Sequence, residues 1–451
     1  MKAIILAAGQ GTRMCSATPK VLHPIMGKPF LQYVPEACIK AGISDITIVV
    51  GNDGDAIKSV LGESVKYAIQ AEPLGTGHAV LSAAENVQPN DDILILAGDM
   101  PLITADFINN LIAYYTQKDR ATIVAAVHKQ NTGDFGRVYA NEDSHFESII
   151  EARDLGSDSP PSNWVNTSIY LFKGEALLYG LSHMENNNSQ KEYYLTDVPK
   201  ILKNAGSPVY VYPSTEDEAI FTGINTQAQL AEATQHMRNR INLQHMENGV
   251  RMFDPATTYI DAAVQIEPNV VIYPGCILEG CCVIEADAII GPYTHMQNTT
   301  IGKHTAVRQS VLTDAKVGSN TTVGPFAYLR PGAVIGNKCR VGNFVEIKNA
   351  TLADGAKAAH LAYIGDADIG RNVNYSCGVI TANYDGKNKH RTTIKDGAFI
   401  GSSSNLVAPV EIGEGAFIAA GSTITNDVPD YSMGIARERQ VTKNDWVKNK
   451  R

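Results

Sequence analysis

The stretch that decides one half of the fold is VGSNTTVGPFAYLRPGAVIGNKCRVGNFVEI, residues 317–347. Aliphatic residues recur in it at every sixth position, at Val317, Val323, Leu329, Ile335, Val341 and Ile347. Four places after most of them stands a small or slender residue, as at Thr321, Ala327, Ala333 and Val345. This period predicts a triangular parallel β-helix, in which three hexads form one coil and coils stack about 4.8 Å apart.

The period of six extends in both directions from this stretch. It holds upstream at Ile266, Ile272, Leu278, Ile284 and Ile290, and downstream at Ile394, Ile400, Leu406, Ile412, Ile418 and Ile424. The same register puts four cysteines in the small-residue position, namely Cys276, Cys282, Cys339 and Cys377. We interpret the first three as ordinary buried residues of the repeat, because a free cysteine packs as a small hydrophobe.

The N-terminal half follows a different pattern, in which short apolar runs alternate with amphipathic stretches. The apolar runs are IILAA (4–8), ITIVV (46–50), ILILA (93–97) and TIVAAV (122–127). The helical stretches between them include residues 30–42 and 77–87. This order predicts a three-layer α/β domain with a mostly parallel sheet.

A single helix is predicted between the two halves. Residues 226–249 carry Leu230, Ala233, Met237 and Ile241 at helical spacing and end at Gly249, a residue typical of helix C-termini. We therefore expect an α/β domain over 1–225, a linker helix over 226–249, a β-helix over 250–437 and a C-terminal tail over 438–451.

Composition limits the class of protein. The net charge of −9 argues against a nucleic-acid or anionic-membrane binder, since both need a basic surface. No apolar stretch approaches the roughly 20 residues that a transmembrane helix needs, and the apolar start ends at Ala8 without a cleavage site. The seven cysteines lack a Cys-x-x-Cys spacing and favour reduced thiols in a cytoplasm.

The first predicted strand runs into LAAGQGTRM, followed by PKVL at 19–22. Gly9 and Gly11 allow close backbone approach to a phosphate, and Arg13 and Lys20 add two cations. A dinucleotide-binding loop would need a third glycine where Met14 stands. A carboxylate, Asp99, follows the strand ILILA, at an edge where open α/β sheets bind ligands and where a carboxylate can hold Mg²⁺.

Taken together, several motifs resemble the sugar-nucleotide pyrophosphorylases. They are LAAGQGTRM with PKVL, QAEPLGTGHA (70–79), AGDMPL (97–102), FGR (135–137), EYYLTD (192–197) and GIN (223–225). Over essentially the whole chain, the sequence resembles the bacterial bifunctional family of N-acetylglucosamine-1-phosphate uridyltransferases and glucosamine-1-phosphate acetyltransferases. The resemblance implies a Rossmann-like nucleotidyltransferase domain, a left-handed β-helix, and synthesis of UDP-N-acetylglucosamine from glucosamine-1-phosphate, acetyl-CoA and UTP.

For the N-terminal site, the resemblance implies residue roles by motif. Arg13 and Lys20 would act on the phosphates during uridylyl transfer, and Asp99 and Asn225 would hold Mg²⁺. The uridine nucleotide would contact Leu6, Ala7, Ala8, Gly9, Gln70, Gly75 and Thr76. The sugar would contact Gly136, Glu151 and Asn166.

For the C-terminal site, a histidine near neutral pKa suits deprotonation of the acceptor amine, and His360 is the candidate base. The resemblance implies acceptor contacts at Arg330, Lys348, Tyr363 and Asn374. It implies acetyl-CoA contacts at Cys377, Asn383, Tyr384, Lys389, Ser402, Ala420 and Arg437. Family members are trimers with acetyl sites between prisms, so Lys389 would reach across a subunit boundary.

The chain departs from the family pattern at three places. Ser168 stands where the family has the glycine of NTG, and Ala359 where it has the glycine of KAGH. Ser376 and Cys377 replace a glycine and an alanine near the expected acetyl-CoA site. Two alternatives stay open at this point: a pyrophosphorylase for another sugar with a regulatory β-helix, and an inert assembly subunit.

Overall fold

The computed structural model describes residues 1–9, 11–51, 54–156 and 159–448. Gln10 of the glycine loop and residues 449–451 of the predicted tail lie outside the described residues. The chain divides into two compact units, Met1–Met237 and Arg238–Arg451. A helix over Gln227–Glu247 includes the point of division, and the domain limits stated above stay a prediction.

The N-terminal unit is built on a mixed, mostly parallel sheet. Its main strands, in spatial order, are Val209–Ser214, Thr122–His128, Trp164–Lys173, Asp92–Ala97, Lys2–Leu6, Asp45–Val50 and Lys66–Ile69. Trp164–Lys173 runs antiparallel to both of its neighbours, whereas the other pairs are parallel. A hairpin of Arg137–Ala140 and Phe146–Ile150 extends from Trp164–Lys173. The predicted α/β class is confirmed.

The remaining elements of this unit are helices and one small ribbon, Pro24–Ile25 with Lys28–Pro29. The α-helices are Tyr33–Lys40, Gly54–Leu61, Thr76–Leu81, Ala105–Gln117, Gly174–Ser182 and Asp197–Asn204. Single 3-10 turns lie at Thr12–Met14, Lys20–Leu22, Phe30–Gln32, Ala84–Asn86, Ala152–Asp154 and Glu218–Phe221. The helix expected over 77–87 is shorter than predicted, because it ends at Leu81 and only a 3-10 turn follows.

The C-terminal unit is a parallel β-helix with the predicted period. Val271 pairs with Ile289, Ile277 with His295, and Gln265 with Val283, so these coils have 18 residues, or three hexads. Other coils are shorter by one or two residues, as where Arg340 pairs with Lys357 and His295 with Val311. The aliphatic residues of the repeat point inward and are buried, apart from Ile266, which is half-buried. This hexapeptide architecture is that of a left-handed β-helix, as expected. Within the described part of the chain, no helix is long and apolar enough to cross a membrane.

The strands of the β-helix are short, and two of them are longer because they pass a corner without interruption. The longer strands are Arg340–Lys348 and Lys357–Gly365. The short strands before them are Arg251–Met252, Tyr259–Ile260, Gln265–Ile266, Val271–Ile272, Ile277–Glu279, Val283–Ile284, Ile289–Ile290, His295–Gln297, Thr300–Ile301, Ala306–Val307, Val311–Thr313, Lys316–Val317, Thr322–Val323, Tyr328–Leu329 and Val334–Ile335. The other short strands are Thr351–Leu352, Ala367–Ile369, Asn374–Tyr375, Ile380–Ala382, Thr392–Ile394, Phe399–Ile400, Asn405–Val407, Val410–Ile412, Phe417–Ile418, Thr423–Ile424 and Met433–Gly434. A 3-10 turn lies at Pro255–Thr257.

One part of the predicted register is wrong. The buried aliphatic positions step by five, not six, from Ile364 to Ile369, so Val373 fills a buried small-residue position and Tyr375 fills the next aliphatic position. Cys377 consequently lies outside the core and is exposed, whereas Cys276, Cys282 and Cys339 are buried as predicted. The thiol of Cys377 faces solvent at a corner of the prism.

Candidate active sites

The glycine loop and Asp99 lie side by side because their strands are neighbours in the sheet. Leu6 pairs with Ala97 at the carboxyl ends of the two strands, and the amide of Gly98 donates to the carbonyl of Leu6 at 2.8 Å. A Cβ at Gly98 would lie 2.9 Å from that same carbonyl oxygen. Glycine therefore allows the two loops to leave the sheet in contact.

Lys20 packs beneath the glycine loop. Gly11 has φ +60°, and a Cβ there would lie 2.5 Å from Cβ of Lys20. The Nζ of Lys20 lies 2.6 Å from Oδ2 of Asp99 and 3.1 Å from Oδ1 of Asn225. The backbone holds this arrangement, since the amide of Ile224 donates to the carbonyl of Asp99 at 2.9 Å. Two oxygen ligands thus converge on one cation.

A cleft of about 680 Å³ opens over this cluster. Most of the predicted nucleotide and phosphate residues line it, together with Glu151 of the predicted sugar set. The predicted residues that line the cleft are Leu6, Ala7, Ala8, Gly9, Arg13, Lys20, Gln70, Gly75, Thr76, Asp99 and Glu151. Arg13 is exposed at its edge. The sequence motifs therefore come together in one cavity.

Gln70, Gly75 and Thr76 form one wall of the cleft through contacts with a distant segment. Gln70 is only 7% exposed, and its Nε2 donates to the carbonyl of Gly75 at 3.1 Å. Gly75 has φ +111°, and a Cβ there would lie 2.6 Å from the carbonyl oxygen of Tyr193. The Thr76 hydroxyl accepts from the amide of Leu195 at 3.0 Å. The segment around 193–195 thus fixes this wall.

The predicted sugar residues gather around the carboxylate of Glu151. A Cβ at Gly136 would lie 3.3 Å from Oε2 of Glu151, and the Asn166 amide donates to the carbonyl of Gly136 at 2.9 Å. Asn166 Nδ2 donates to the Tyr170 hydroxyl, which also lines the cleft, at 2.7 Å. Asn166 is therefore held at the wall by the residues that it touches.

The pKa of Glu151 is raised, chiefly by burial and further by the nearby charges of Asp154 and Asp197. The hydroxyl of Thr196 donates to Oε1 of Glu151 at 3.0 Å and opposes that rise. Glu151 consequently presents a carboxyl group at the cleft wall whose ionisation is less favourable than in solution.

Several residues that line the cleft were not among the predicted site residues. They include Asp134, Arg153, Gln190, Glu192, Tyr194 and Thr196, together with Ser168, which was noted only as a departure from the family pattern. Glu192, Tyr194 and Thr196 belong to the motif EYYLTD, which is therefore the sequence feature that indicates them. Ser168 has φ +59° within a strand irregularity between Asn166 and Tyr170, which explains a glycine at this place in related sequences.

In the β-helix, His360 lies at a corner that the strand Lys357–Gly365 passes without a break. It pairs in register with Asn343 of the preceding coil, and its Nδ1 lies 3.0 Å from Oδ1 of Asn343. An amide oxygen at this place can accept the Nδ1 proton and so leaves Nε2 as the unprotonated nitrogen. The imidazole is exposed.

We call the stacked turns at this edge the His360 corner, defined by residues 343–344, 360–361, 377–378, 402–403 and 420–421, with Arg437 after them. Its turns are joined by amide-to-carbonyl bonds from Gly378 to Leu361 at 2.7 Å, from Ser403 to Cys377 at 2.8 Å and from Gly421 to Ser402 at 2.8 Å. Cδ of Arg437 lies 3.8 Å from the position of a Cβ on Gly421. The corner thus aligns Cys377, Ser402, Ala420 and Arg437 in successive coils beyond His360.

Cationic side chains cluster beside a different corner. Arg330 pairs with Glu346 at 2.8 Å, and Nζ of Lys348 lies 3.8 Å from Oδ2 of Asp366. Lys389 lies beside Lys348 and lowers its pKa, burial adds to the effect, and the charge of Asp366 opposes it. In one chain, Lys389 therefore contacts the predicted acceptor-phosphate residue Lys348.

Tyr363 and Asn374 belong to different runs of stacked strands. Tyr363 pairs with Glu346 and Ile380, whereas Asn374 pairs with Lys357 and Phe399. Asn374 Nδ2 donates to the hydroxyl of Ser376, one of the departures from the family pattern, at 3.0 Å. The predicted acceptor residues of one chain are thus distributed over two faces of the prism.

The loop 383–390 is a compact hairpin. Tyr384 and Lys389 form an antiparallel bridge, and the amide of His390 donates to the carbonyl of Asn383 at 2.8 Å. The carboxylate of Asp385 accepts from the amides of Asn388 and Lys387 and pairs with His390, which lowers its pKa to about 2. The hairpin therefore has a fixed tip rather than an open loop.

Two family models match the chain. A MobA-like NTP transferase domain matches residues 3–215, and the bacterial transferase hexapeptide model of six repeats matches residues 314–349 and 391–426. Proteins named bifunctional protein GlmU match over nearly the whole length. One from Geobacillus sp. (strain WCH70) is 47% identical over 99% of this chain and 97% of its own.

Two further relatives carry the same name. The one from Clostridioides difficile (strain 630) is 45% identical over 100% of this chain and 98% of its own, and the one from Brevibacillus brevis is 46% identical over 99% and 96%. The chain belongs to the GlmU family. The family resemblance inferred from the motifs is confirmed, and the two open alternatives are no longer needed.

Membership of the GlmU family gives the chain two transferase activities. The N-terminal unit is a nucleotidyltransferase, and the C-terminal unit is an acyltransferase of the hexapeptide class. Together they carry out the acetyl transfer and the uridylyl transfer of UDP-N-acetylglucosamine synthesis.

Proposed function

We propose that uridylyl transfer takes place in the cleft of the N-terminal unit, with the phosphates at Arg13 and Lys20. The observation that carries this proposal is the convergence of Lys20, Asp99 and Asn225 at the mouth of the glycine loop. An oxygen of N-acetylglucosamine-1-phosphate attacks the α-phosphorus of UTP, the bond to the bridging oxygen breaks, and pyrophosphate leaves. No protein nucleophile is needed, so positioning and charge neutralisation supply the catalysis.

The residues around Lys20 fit a divalent cation. Asp99 Oδ2 and Asn225 Oδ1 are hard oxygen donors that already converge on a positive charge. Since no cluster of three His, Cys, Asp or Glu side chains is found among the residues that the structure describes, the other ligands would be phosphate and water. Asp99 and Asn225 would hold Mg²⁺, which neutralises phosphate charge when bound.

In this assignment the uridine nucleotide contacts Leu6–Gly9, Gln70, Gly75 and Thr76. The sugar lies against Glu151, with Gly136 and Asn166 fixing that wall. The raised pKa of Glu151 suits a group that hydrogen-bonds to sugar hydroxyls in a water-poor cavity.

We propose that acetyl transfer takes place along the His360 corner. His360 Nε2 removes a proton from the ammonium of glucosamine-1-phosphate, and Asn343 holds the ring in the required tautomer. The free amine attacks the thioester carbonyl of acetyl-CoA and forms the new carbon–nitrogen bond, the carbon–sulfur bond breaks, and the CoA thiolate leaves and takes up the proton that the nitrogen loses. Support comes from the alignment of Cys377, Ser402, Ala420 and Arg437 beyond His360.

The acceptor phosphate would be bound by Arg330 and Lys348, with Tyr363 and Asn374 at the sugar. Because Tyr363 and Asn374 belong to different faces of one prism, we propose a homotrimer in which neighbouring chains complete each acetyl site. Asn383, Tyr384 and Lys389 of the hairpin would then contact acetyl-CoA or a neighbouring prism. We also propose a cytoplasmic location, consistent with seven free cysteines.

One experiment tests the two assignments together. The purified full chain is assayed separately for CoA release from acetyl-CoA with glucosamine-1-phosphate, and for pyrophosphate release from UTP with N-acetylglucosamine-1-phosphate. Chelation of divalent cations is expected to stop only the second reaction. Uridylyl transfer that persists after chelation would refute the metal assignment, and sedimentation of residues 251–451 as a monomer would refute the shared site.

A further inference from the structure

Asp366 stands at a corner of the β-helix where several coils share one geometry. Asp314, Gly332, Asn349 and Asp366 occupy this corner in successive coils, and all have positive φ, of +46°, +81°, +45° and +49°. Side chains link the coils there: Asn298 Nδ2 donates to Asp314 at 3.1 Å, and Asn349 Nδ2 donates to Asp366 at 2.6 Å. A purely structural role for Asp366 would therefore resemble that of Asp314.

Asp366 differs from Asp314 in its surroundings. Asp314 is exposed, whereas Asp366 is only 7% exposed. Oδ2 of Asp366 accepts a hydrogen bond from Asn383 Nδ2 and lies 3.8 Å from Nζ of Lys348. One buried carboxylate thus contacts the candidate phosphate-binding lysine and the first residue of the hairpin.

Positively charged side chains outnumber the carboxylate of Asp366 in its surroundings. Lys348 and Lys389 lie side by side, Arg330 also acts on Lys348, and Arg391 acts on Asp366 from the end of the hairpin. Burial disfavours ionisation of Asp366, but the hydrogen bonds from Asn349 and Asn383 and the two lysines outweigh it, so its pKa lies below the ordinary value. The anion of Asp366 therefore lies beside Lys348 and opposes the lowering of its pKa by Lys389 and by burial.

We propose that Asp366 is a positioning residue for acetyl transfer, which holds Lys348 in place for the acceptor phosphate and anchors the hairpin through Asn383. This inference rests on the proposed acetyl site. Asp366 does not touch the reacting atoms, and it acts through Lys348 and Asn383.

The test is Asp366→Asn in the full-length chain, with Asp314→Asn as the matched control. The KM for glucosamine-1-phosphate and the kcat of acetyl transfer are measured from pH 6.5 to 9.5. Removal of the carboxylate takes away the charge that raises the pKa of Lys348, and only the ammonium form binds phosphate well. We expect the KM of Asp366→Asn to be about tenfold higher at neutral pH. As the pH is raised, this KM should begin to increase further at a lower pH than the KM of the unsubstituted protein. The change in kcat should be smaller.

Two additional variants make the outcome decisive. Asp366→Glu keeps the charge, so its KM should begin to rise at the same pH as in the unsubstituted protein, even if the KM itself is higher. This variant also covers the case in which Asp366→Asn does not fold. The double variant with Lys348→Ala should be no worse than Lys348→Ala alone, because both changes act through one side chain. Uridylyl transfer should be unchanged in every variant.

The proposal is overturned if Asp366→Asn keeps the unsubstituted profile, or if its profile matches that of Asp314→Asn. It is also overturned if the KM of Asp366→Glu begins to rise at a pH as low as that of Asp366→Asn, or if the double variant shows fully additive losses. If Lys348→Ala leaves the KM for glucosamine-1-phosphate unchanged, the assignment of the acceptor-phosphate site is wrong, and not only the role of Asp366.

Discussion

Lys20 and Asp99, 79 positions apart in the chain, form an ion pair of 2.6 Å at the carboxyl edge of the sheet. The pair joins the glycine loop after the first strand to the loop after its neighbour, and Asn225 completes it from a third segment. Each partner is in place because Leu6 and Ala97 are paired at the ends of their strands. The sheet thus brings together the charged groups of the proposed phosphate site.

Asp99→Asn is expected to reduce uridylyl transfer about 100- to 1,000-fold, because it removes a charge that acts on the metal and on Lys20. Acetyl transfer should be unchanged. Pyrophosphate release and CoA release from the same preparation measure the two effects. Asp45→Asn is the control, since Asp45 pairs with Lys66 at an exposed position; equal losses in both variants would contradict a role for Asp99.

His360→Ala is expected to reduce acetyl transfer about 100- to 10,000-fold by removal of the general base. Uridylyl transfer should be retained. His295→Ala is the matched control, because His295 also projects from the β-helix and pairs with Glu279 at 2.7 Å. CoA release that survives in His360→Ala would exclude His360 as the base.

Ser168→Gly is expected to stabilise the N-terminal unit by about 0.5–1 kcal/mol. A serine at φ +59° is strained by its Cβ, and glycine adopts this conformation without that strain but loses more entropy on folding. Urea unfolding measures the change. Ser148→Gly, in the strand Phe146–Ile150, should have the opposite sign, and destabilisation by both substitutions would show that the serine at 168 is unstrained.

Glu151→Gln is expected to stabilise the fold at neutral pH and to raise the KM for N-acetylglucosamine-1-phosphate about tenfold. The pKa of Glu151 is higher in the folded chain, so the unfolded chain ionises first as the pH rises. The penalty for Glu151 is absent well below pH 4.3, the ordinary glutamate pKa, and is complete once the pH exceeds the raised value.

Unfolding of Glu151→Gln by urea at pH 3.5 and pH 7.5 measures this linkage. The gain in the free energy of unfolding should appear at pH 7.5 and vanish at pH 3.5. Glu147→Gln, at an exposed position of the strand that ends just before Glu151, should show no such pH dependence. A gain that is equal at both pH values would contradict the assignment of the buried charge.

The sequence predicted most of the fold because its periods are local properties of the chain. Six-residue spacing predicted the β-helix, and the apolar runs predicted the sheet strands to within one or two residues at most ends. The error at Cys377 arose where the step from Ile364 to Ile369 is five, which shifts the register without any change in composition. The break in spacing after Ile364 is visible in the sequence, but only the buried positions show that Ile369 and Tyr375, and not Val373, continue the inward series.

The motifs predicted most of the cleft residues, but they did not identify the hydrogen-bond partners of these residues in distant segments of the chain. Glu151 was chosen, yet its hydrogen bond to Thr196 depends on how the segment after residue 190 folds back. The burial of Asp366 depends on a hairpin inserted after Thr381. Such contacts are tertiary, so no pattern in the neighbouring sequence indicates them.

The number of coils in the His360 corner sets the distance between His360 and Arg437. From His360 to Arg437 it takes four coil steps, and at about 4.8 Å for each step the two residues are separated by about 19 Å. A whole coil gained or lost between them would change this distance by one step and leave the contacts within every remaining coil intact. A solenoid enzyme can therefore adapt to longer or shorter acyl donors by changes in its number of repeats, without any new side-chain packing.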